Sequence, residues 1–162
     1  YIDMGRLTDR HIDSSLFADE DGEVYYVWQD GWIARMKPDM TGFAEHPRKL
    51  LTVDGTTVGY EGAFIVKYRG KYLLGAAEWN GDERVDGTYD MMVSVSDRLY
   101  GPYSPRQVAV PHGGHGTMFV NRDGELMATL FGNDRTAPFR TKLGIVRLEC
   151  RFERGGAVIF PV

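Results

Sequence analysis

The sequence predicts an all-β protein built from consecutive blades of a β-propeller. Glycine occupies 20 of the 162 positions, and no stretch of helical length combines an amphipathic pattern with a good cap. Short Val, Ile, Tyr and Phe runs are instead separated by turn signals, and one strand layout recurs three times. The turn signals are Asp21-Gly22, Asp54-Gly55, Arg69-Gly70, Asp86-Gly87 and Asp123-Gly124.

The first strand of each copy begins with a polar residue followed by an apolar run. That polar residue precedes a hairpin glycine by nine positions in every copy: Asp13 to Gly22, Glu61 to Gly70 and His115 to Gly124. The copies begin 48 and then 54 residues apart. Four-stranded propeller blades of roughly 40 to 50 residues with variable loops fit this spacing.

A second and a third apolar strand follow each hairpin glycine. The second strands are predicted at 24–28, 72–76 and 126–130, and the third strands at 32–36, 89–95 and 144–148. The blades therefore lie near 10–50, 58–103 and 111–162 of one domain spanning 1–162, joined by linkers at 41–57 and 102–111.

Three blades cannot close a propeller, which needs about four to eight. We expect the rest of the ring to come from an N-terminal portion absent from this chain. Closure by a second copy is the alternative, and self-association through open blade edges would follow from unpaired strands.

Composition excludes several classes of partner. The net charge of −4 and the scattered Lys and Arg residues argue against nucleic acid, and no apolar run reaches the ~20 residues of a membrane helix. A single cysteine, Cys150, excludes a disulfide framework and a multi-cysteine zinc site. The chain starts without Met or a leader-type segment, so it leaves the cellular address open.

The repeat register predicts where chemistry would take place. First strands line the axis of a propeller, so Asp13, Glu61 and His115 should converge on one mouth of the channel. Two carboxylates and a titratable ring in a concave site are the equipment of acid/base hydrolysis. Any one of them alone could be a turn former, but their common register favours a shared function.

Four segments of the chain resemble the successive signatures of glycoside hydrolase family 43, a five-bladed propeller. They are His11-Ile12-Asp13, Tyr60-Glu61-Gly62, residues 94–103 and Gly114-His115-Gly116. The resemblance implies an inverting hydrolase of arabinofuranosyl- or xylosyl-containing polysaccharides or oligosaccharides. It makes Glu61 the general acid, Asp13 the residue that tunes the pKa of that acid, and His115 the centre of the site. A cofactor is not required, although a hydrated calcium ion lies near this histidine in some members.

The sequence departs from the family pattern in two ways. Ser14 and Ala63 replace the proline that usually follows each carboxylate motif. The general base of the family is an aspartate on the first blade, and no segment here matches it, so we expect this chain alone to be inactive. The alternatives are a propeller that only binds glycan or protein, and a structural remnant of a larger enzyme.

Four further residues are candidates for binding the carbohydrate. His11 lies two residues before Asp13, and His112 lies at the expected rim of the site. Trp79 offers a flat apolar face, and Arg135 follows a polar loop in the last blade. Solvated histidines, a core tryptophan and an exposed loop arginine are the alternative interpretations of these positions.

Overall fold

A computed structural model describes residues 5–8, 12–82 and 85–162 of the chain. The fold consists of three four-stranded antiparallel sheets, each made of four strands that follow one another in sequence. The strands are β1 Ser15–Ala18, β2 Val24–Trp28, β3 Trp32–Arg35, β4 Arg48–Lys49, β5 Glu61–Tyr68, β6 Lys71–Asn80, β7 Thr88–Ser96, β8 Gln107–Val110, β9 Met118–Val120, β10 Leu126–Leu130, β11 Gly144–Glu153 and β12 Gly156–Pro161. This arrangement confirms the predicted all-β class and the succession of three blades.

The middle blade lies between the other two. Its strand β7 is buried at every position after Thr88, including the polar residues Asp90, Ser94 and Ser96. In β11 of the last blade, Leu148 and Cys150 are buried whereas Arg147 and Arg151 are exposed. Because side chains alternate across a strand, this pattern places one face of the last blade against the middle blade and the other in solvent.

Two hydrophobic layers hold the blades together. Leu74 of β6 packs with Val27 and Ile33 of the first blade, while its neighbour Leu73 packs with Leu126 of the last blade. Adjacent residues of β6 therefore pack into opposite hydrophobic layers, because successive side chains of a strand point to opposite faces of the sheet. Within the described part of the chain, no helix is long and apolar enough to cross a membrane.

A polar contact also joins the first two blades. Asp19, which follows β1, accepts hydrogen bonds from Lys67 Nζ at 2.8 Å and from the Tyr72 hydroxyl at 2.6 Å. Its side chain is only 9% exposed. Burial alone would raise the pKa of Asp19. The hydrogen bonds from Lys67 and Tyr72 outweigh this effect and hold the pKa of Asp19 below its ordinary value.

The predicted linkers were wrong in one respect, because they supply the fourth strands of the first two blades. β4 has only two residues, both exposed, so its sequence carries no measurable periodicity. β8 pairs with β7 across a bulge between Met91 and Met92, and it extends the middle blade to Val110. A bulge breaks the strict alternation by which a strand is recognised in sequence.

Candidate active site

Asp13, Glu61 and His115 lie together, and each offers one ligand-capable atom within 4.8 Å of those of the other two. His115 contacts both acids. Its Nε2 is 3.5 Å from Asp13 Oδ1, and its Nδ1 is 3.6 Å from Glu61 Oε1. Each carboxylate side chain is 21% exposed, so solvent reaches both groups without surrounding them.

The backbone takes a left-handed conformation at the site in all three blades. Asp13 and His115 adopt it themselves, with φ of +59° and +63°, whereas in the middle blade Gly62 adopts it, with φ of +68°. A β-bulge between Glu61 and Phe64 accompanies this shift of one residue. The bulge places Glu61 inside β5, where its position is fixed by strand pairing.

Gly62 also makes room for the histidine. A Cβ atom at this position would lie 3.3 Å from the His115 ring, closer than most such contacts. Alanine at position 62 would therefore combine an unfavourable φ with pressure on the ring.

Close packing explains the glycines on both sides of His115. A Cβ at Gly114 would come within 2.4 Å of the Tyr89 ring, and a Cβ at Gly116 within 2.0 Å of the carbonyl oxygen of Thr129. Only glycine lets the chain approach these neighbours so closely. The glycine-rich segment therefore fixes the histidine against the middle and last blades.

Tyr89 is a site residue that the sequence reasoning missed. Its hydroxyl donates a hydrogen bond to Glu61 Oε1 and lies 3.0 Å from Nδ1 of His115. Burial, followed by the bond to Glu61, raises the pKa of Tyr89 well above its ordinary value, so the phenol keeps its proton. The residue opens the predicted third strand of the middle blade, and nothing distinguishes it from core tyrosines in that apolar run.

Asp134 binds the backbone of Tyr89 and is a second residue near the site that the sequence did not predict. It is 1% exposed and accepts hydrogen bonds from the Tyr89 backbone N–H at 3.0 Å and from the Thr136 hydroxyl at 2.8 Å. Nδ1 of His112 lies 3.0 Å from the same carboxylate. Burial alone raises the pKa of Asp134, but these hydrogen bonds outweigh it and hold the pKa below its ordinary value.

The predicted carbohydrate-binding residues have different surroundings. His112 is tied to Asp134, and its backbone N–H donates to Asp90 Oδ1 at 2.7 Å. The Trp79 ring stacks on Tyr89 with 4.8 Å between centroids, and Arg135 is exposed in the loop beside Asp134. His11 lies outside the described residues. Contacts of these four residues with a sugar stay predictions.

Gln29 connects the chain segments that carry the two acids. Its backbone N–H donates to the Ile12 carbonyl at 3.2 Å, and its side-chain Nε2 donates to the Tyr60 carbonyl at 3.3 Å. Its own carbonyl accepts from the Ala63 N–H at 2.9 Å. Gln29, the residue that follows β2, thus bonds to Ile12 beside Asp13 and to Tyr60 beside Glu61.

A calcium ion is a poor match for direct coordination by this cluster. Ca²⁺ prefers six to eight oxygen ligands, whereas the cluster offers two carboxylates and an imidazole. Both ring nitrogens of His115 already face Tyr89, Glu61 or Asp13. A hydrated calcium ion beside His115 stays a prediction.

Asp13 and His115 line an open cavity of about 260 Å³, and Glu61 is next in the chain to Gly62, which also lines it. Its lining includes Asp13, Ser15, Gly62, His115 and Thr117. Two carboxylates and an imidazole beside such a cavity can exchange protons with a bound molecule. The fold and the site together define a β-propeller protein in which two carboxylates and an imidazole are grouped beside a cavity.

The sequence matches the family model described as Glycosyl hydrolases family 43 over residues 1–144. The chain therefore belongs to this family. A β-xylosidase from Xylanibacter ruminicola is 27% identical, with the alignment covering 57% of this chain and 39% of that protein.

Solved structures share the propeller fold. An exo-1,5-α-L-arabinanase from a bovine ruminal metagenomic library superposes with a TM-score of 0.70 at 19% identity, covering 91% of this chain and 56% of the other. The GH43 BlXynB protein from Bacillus licheniformis gives a TM-score of 0.70 at 23% identity, covering 92% of this chain and 31% of the other. This chain thus spans little more than half of the arabinanase and less than half of the other two proteins.

Proposed function

We propose that this chain carries the acid side of an inverting glycoside hydrolase, with Glu61 as the general acid. The observation that carries the proposal is the cluster of Asp13, Glu61 and His115 within 4.8 Å at the cavity. Glycosidases need one carboxyl that protonates the leaving oxygen and another group that controls it. In this proposal Asp13 sets the proton affinity of Glu61, and His115 holds both acids in place.

The spacing of the two acids supports Asp13 as a partner of Glu61 and not as the base. Inverting enzymes hold their two carboxyls roughly 6.5 to 9.5 Å apart so that a water molecule fits beyond the sugar. The facing oxygens of Asp13 and Glu61 lie within 4.8 Å of each other, which is closer than that, and His115 contacts both acids.

The base that activates water is proposed to lie outside this chain. Of the acidic side chains in the described ranges, only Asp13 lines the cavity, and Glu61 lies within 4.8 Å of Asp13 and His115. We therefore expect the 162-residue chain alone to be inactive and the whole protein to supply the missing carboxylate.

Arabinofuranosyl- or xylosyl-containing polysaccharides and oligosaccharides are the proposed substrates. The names of the β-xylosidase relative and of the structurally similar arabinanase support this class. We propose His11, His112, Trp79 and Arg135 as contacts for the sugar. His112 and Arg135 lie in loops, where substrate choice is usually determined, and Trp79 lies near the end of β6.

The test is sugar release from arabinan, arabinoxylan and xylosides by the full-length protein and its Glu61→Gln variant. Loss of a general acid should lower kcat by about 10²- to 10⁴-fold. Glu78→Gln is a matched control, because Glu78 lies in the same sheet, is 22% exposed and pairs with Arg106 instead of His115. If Glu61→Gln keeps full activity, Glu61 is not the acid. A wild type that binds these oligosaccharides but cleaves none is a binding module.

A further inference from the structure

The Tyr89 hydroxyl has a single proton and two neighbours that could receive it. One is Glu61 Oε1, and the other is Nδ1 of His115 at 3.0 Å. Oε1 of Glu61 can only accept a hydrogen bond, whether the carboxylate is ionised or carries its proton on Oε2, so the proton of Tyr89 is directed to Glu61. The tyrosine oxygen is then free to accept a hydrogen bond from His115 Nδ1–H.

The two oxygens of Glu61 consequently have different surroundings. Oε1 is held by Tyr89 and lies 3.6 Å from Nδ1 of His115. Among the residues that the structure describes, no hydrogen bond reaches Oε2. A proton on Oε2 leaves the bond from Tyr89 to Oε1 intact, whereas a proton on Oε1 would compete with it.

We infer that Tyr89 is a positioning residue that reserves Oε1 of Glu61, so that Oε2 delivers the proton to the leaving group. This inference rests on the proposed function of Glu61. In the step, the Oε2–H bond breaks and the proton passes to the glycosidic oxygen. The bond between the anomeric carbon and that oxygen breaks, and the departing alcohol keeps the electron pair. Water activated by the base forms the new bond to carbon.

Tyr89 is built to stay in place during this step. Its side chain is 1% exposed and packs against Trp79 on one side and Gly114 on the other. Its backbone N–H is fixed by Asp134. The hydroxyl therefore meets the negative charge that develops on Glu61 without rearrangement, which is how preorganised donors lower a barrier.

The test measures how activity depends on the leaving group in the full-length protein. A series of aryl xylosides and arabinofuranosides, from 2,4-dinitrophenyl to phenyl, varies the need for a proton. Tyr89→Phe removes only the hydroxyl. We expect it to lower kcat/KM about 10- to 100-fold for the phenyl glycoside, as for a hydrogen bond to a charged group. The dinitrophenyl glycoside, whose leaving group needs no proton, should be hydrolysed at nearly the wild-type rate.

Tyr103→Phe is the matched control. Tyr103 is also fully buried and its hydroxyl donates a hydrogen bond, but to the Leu99 carbonyl at 2.7 Å, away from Glu61. If the Tyr89 hydroxyl had only a structural role, Tyr89→Phe and Tyr103→Phe should lower kcat/KM to a similar extent. Only Tyr89→Phe should change the dependence on the leaving group.

Glu61→Gln in the same series separates this inference from the proposed function. If Glu61→Gln depends steeply on the leaving group and Tyr89→Phe does not, the positioning role is overturned and Glu61 remains the acid. If Glu61→Gln shows no such dependence, or the wild type is inert toward every glycoside, both proposals fail.

A second measurement applies if Tyr89→Phe does not fold. A hydrogen-bonded Tyr89 hydroxyl should give a low-field proton resonance in the wild-type protein. Glu61→Gln should shift that resonance if Tyr89 donates to Oε1. An unchanged resonance would overturn the inference.

Discussion

The side-chain carboxylate of Asp134 accepts a hydrogen bond from the backbone N–H of Tyr89 at 3.0 Å, and thereby joins the last blade to the first residues of β7. Asp134→Asn removes the charge and turns one acceptor into a donor. We expect the free energy of unfolding to fall by about 2 to 4 kcal/mol, because a buried hydrogen-bonded acceptor is lost. Urea denaturation of Asp134→Asn beside Asp123→Asn, an exposed hairpin position of the same blade, measures the difference. Equal stability of the two variants would refute the role of Asp134.

Acid should weaken the same contact. The pKa of Asp134 is lowered in the folded protein, so its stabilising contribution is present above the ordinary pKa of about 3.9 and is lost as the pH falls through the folded value. We expect the stability difference between wild type and Asp134→Asn to be constant from pH 7 to about 5 and to shrink below about pH 4. Thermal unfolding between pH 3 and 7 tests this, and a difference that stays the same from pH 5 down to pH 3 contradicts it.

The contact of Asp19 with Tyr72 should couple the first two blades energetically. Asp19→Asn and Tyr72→Phe each remove one side of the 2.6 Å hydrogen bond. Residues in direct contact commonly show coupling energies of about 0.5 to 3 kcal/mol. We expect a double-mutant cycle by urea denaturation to give a value in this range. Additive effects would mean that the hydrogen bond between Asp19 and Tyr72 does not couple the two blades.

Gly62→Ala should damage the site more than a comparable glycine substitution elsewhere. Gly62 and Gly70 have similar φ values, +68° and +75°, but only at Gly62 would a Cβ meet the His115 ring. Both alanine variants should lose about 1 kcal/mol or more of stability from the strained φ. Only Gly62→Ala should lower kcat/KM of the full-length enzyme, and equal losses in both would show that His115 is not displaced.

Cys150 should be unreactive until the protein unfolds. Burial raises the pKa of its thiol to about 11, and the thiolate is the reactive form. Alkylation by iodoacetamide at pH 8, followed by peptide mapping, should modify Cys150 negligibly in the native protein and completely in urea. Rapid modification of the native protein would show that the layer between the middle and last blades opens readily.

The grouping of Asp13, Glu61 and His115 could be predicted because a repeat places equivalent positions around one axis. Each of the three residues precedes a hairpin glycine by nine positions, and this equal spacing was sufficient to predict that they group together. The offset of one residue in the middle blade could not be seen, since the bulge after Glu61 depends on pairing with β6. The sequence therefore could not predict that Gly62, instead of Glu61, adopts the left-handed backbone conformation.

Tyr89 and Asp134 could not be predicted because their roles arise between blades. Tyr89 opens an apolar strand whose other members are core residues, and Asp134 lies in a polar loop with ordinary turn composition. The hydrogen bond between them joins residues 45 positions apart. β4 could not be predicted for another reason. It has only two residues, both exposed, so its sequence shows no hydrophobic pattern.

The bonds of Gln29 have a consequence for how this propeller scaffold can change. The gap between the two acids is bridged by main-chain carbonyls and amides of residues 12, 60 and 63, all bound to one glutamine. The side chains of those neighbours take no part in it. Loop exchange or mutation around the cavity can therefore change the lining of the cavity while Asp13 and Glu61 keep their spacing, provided that Gln29 is retained.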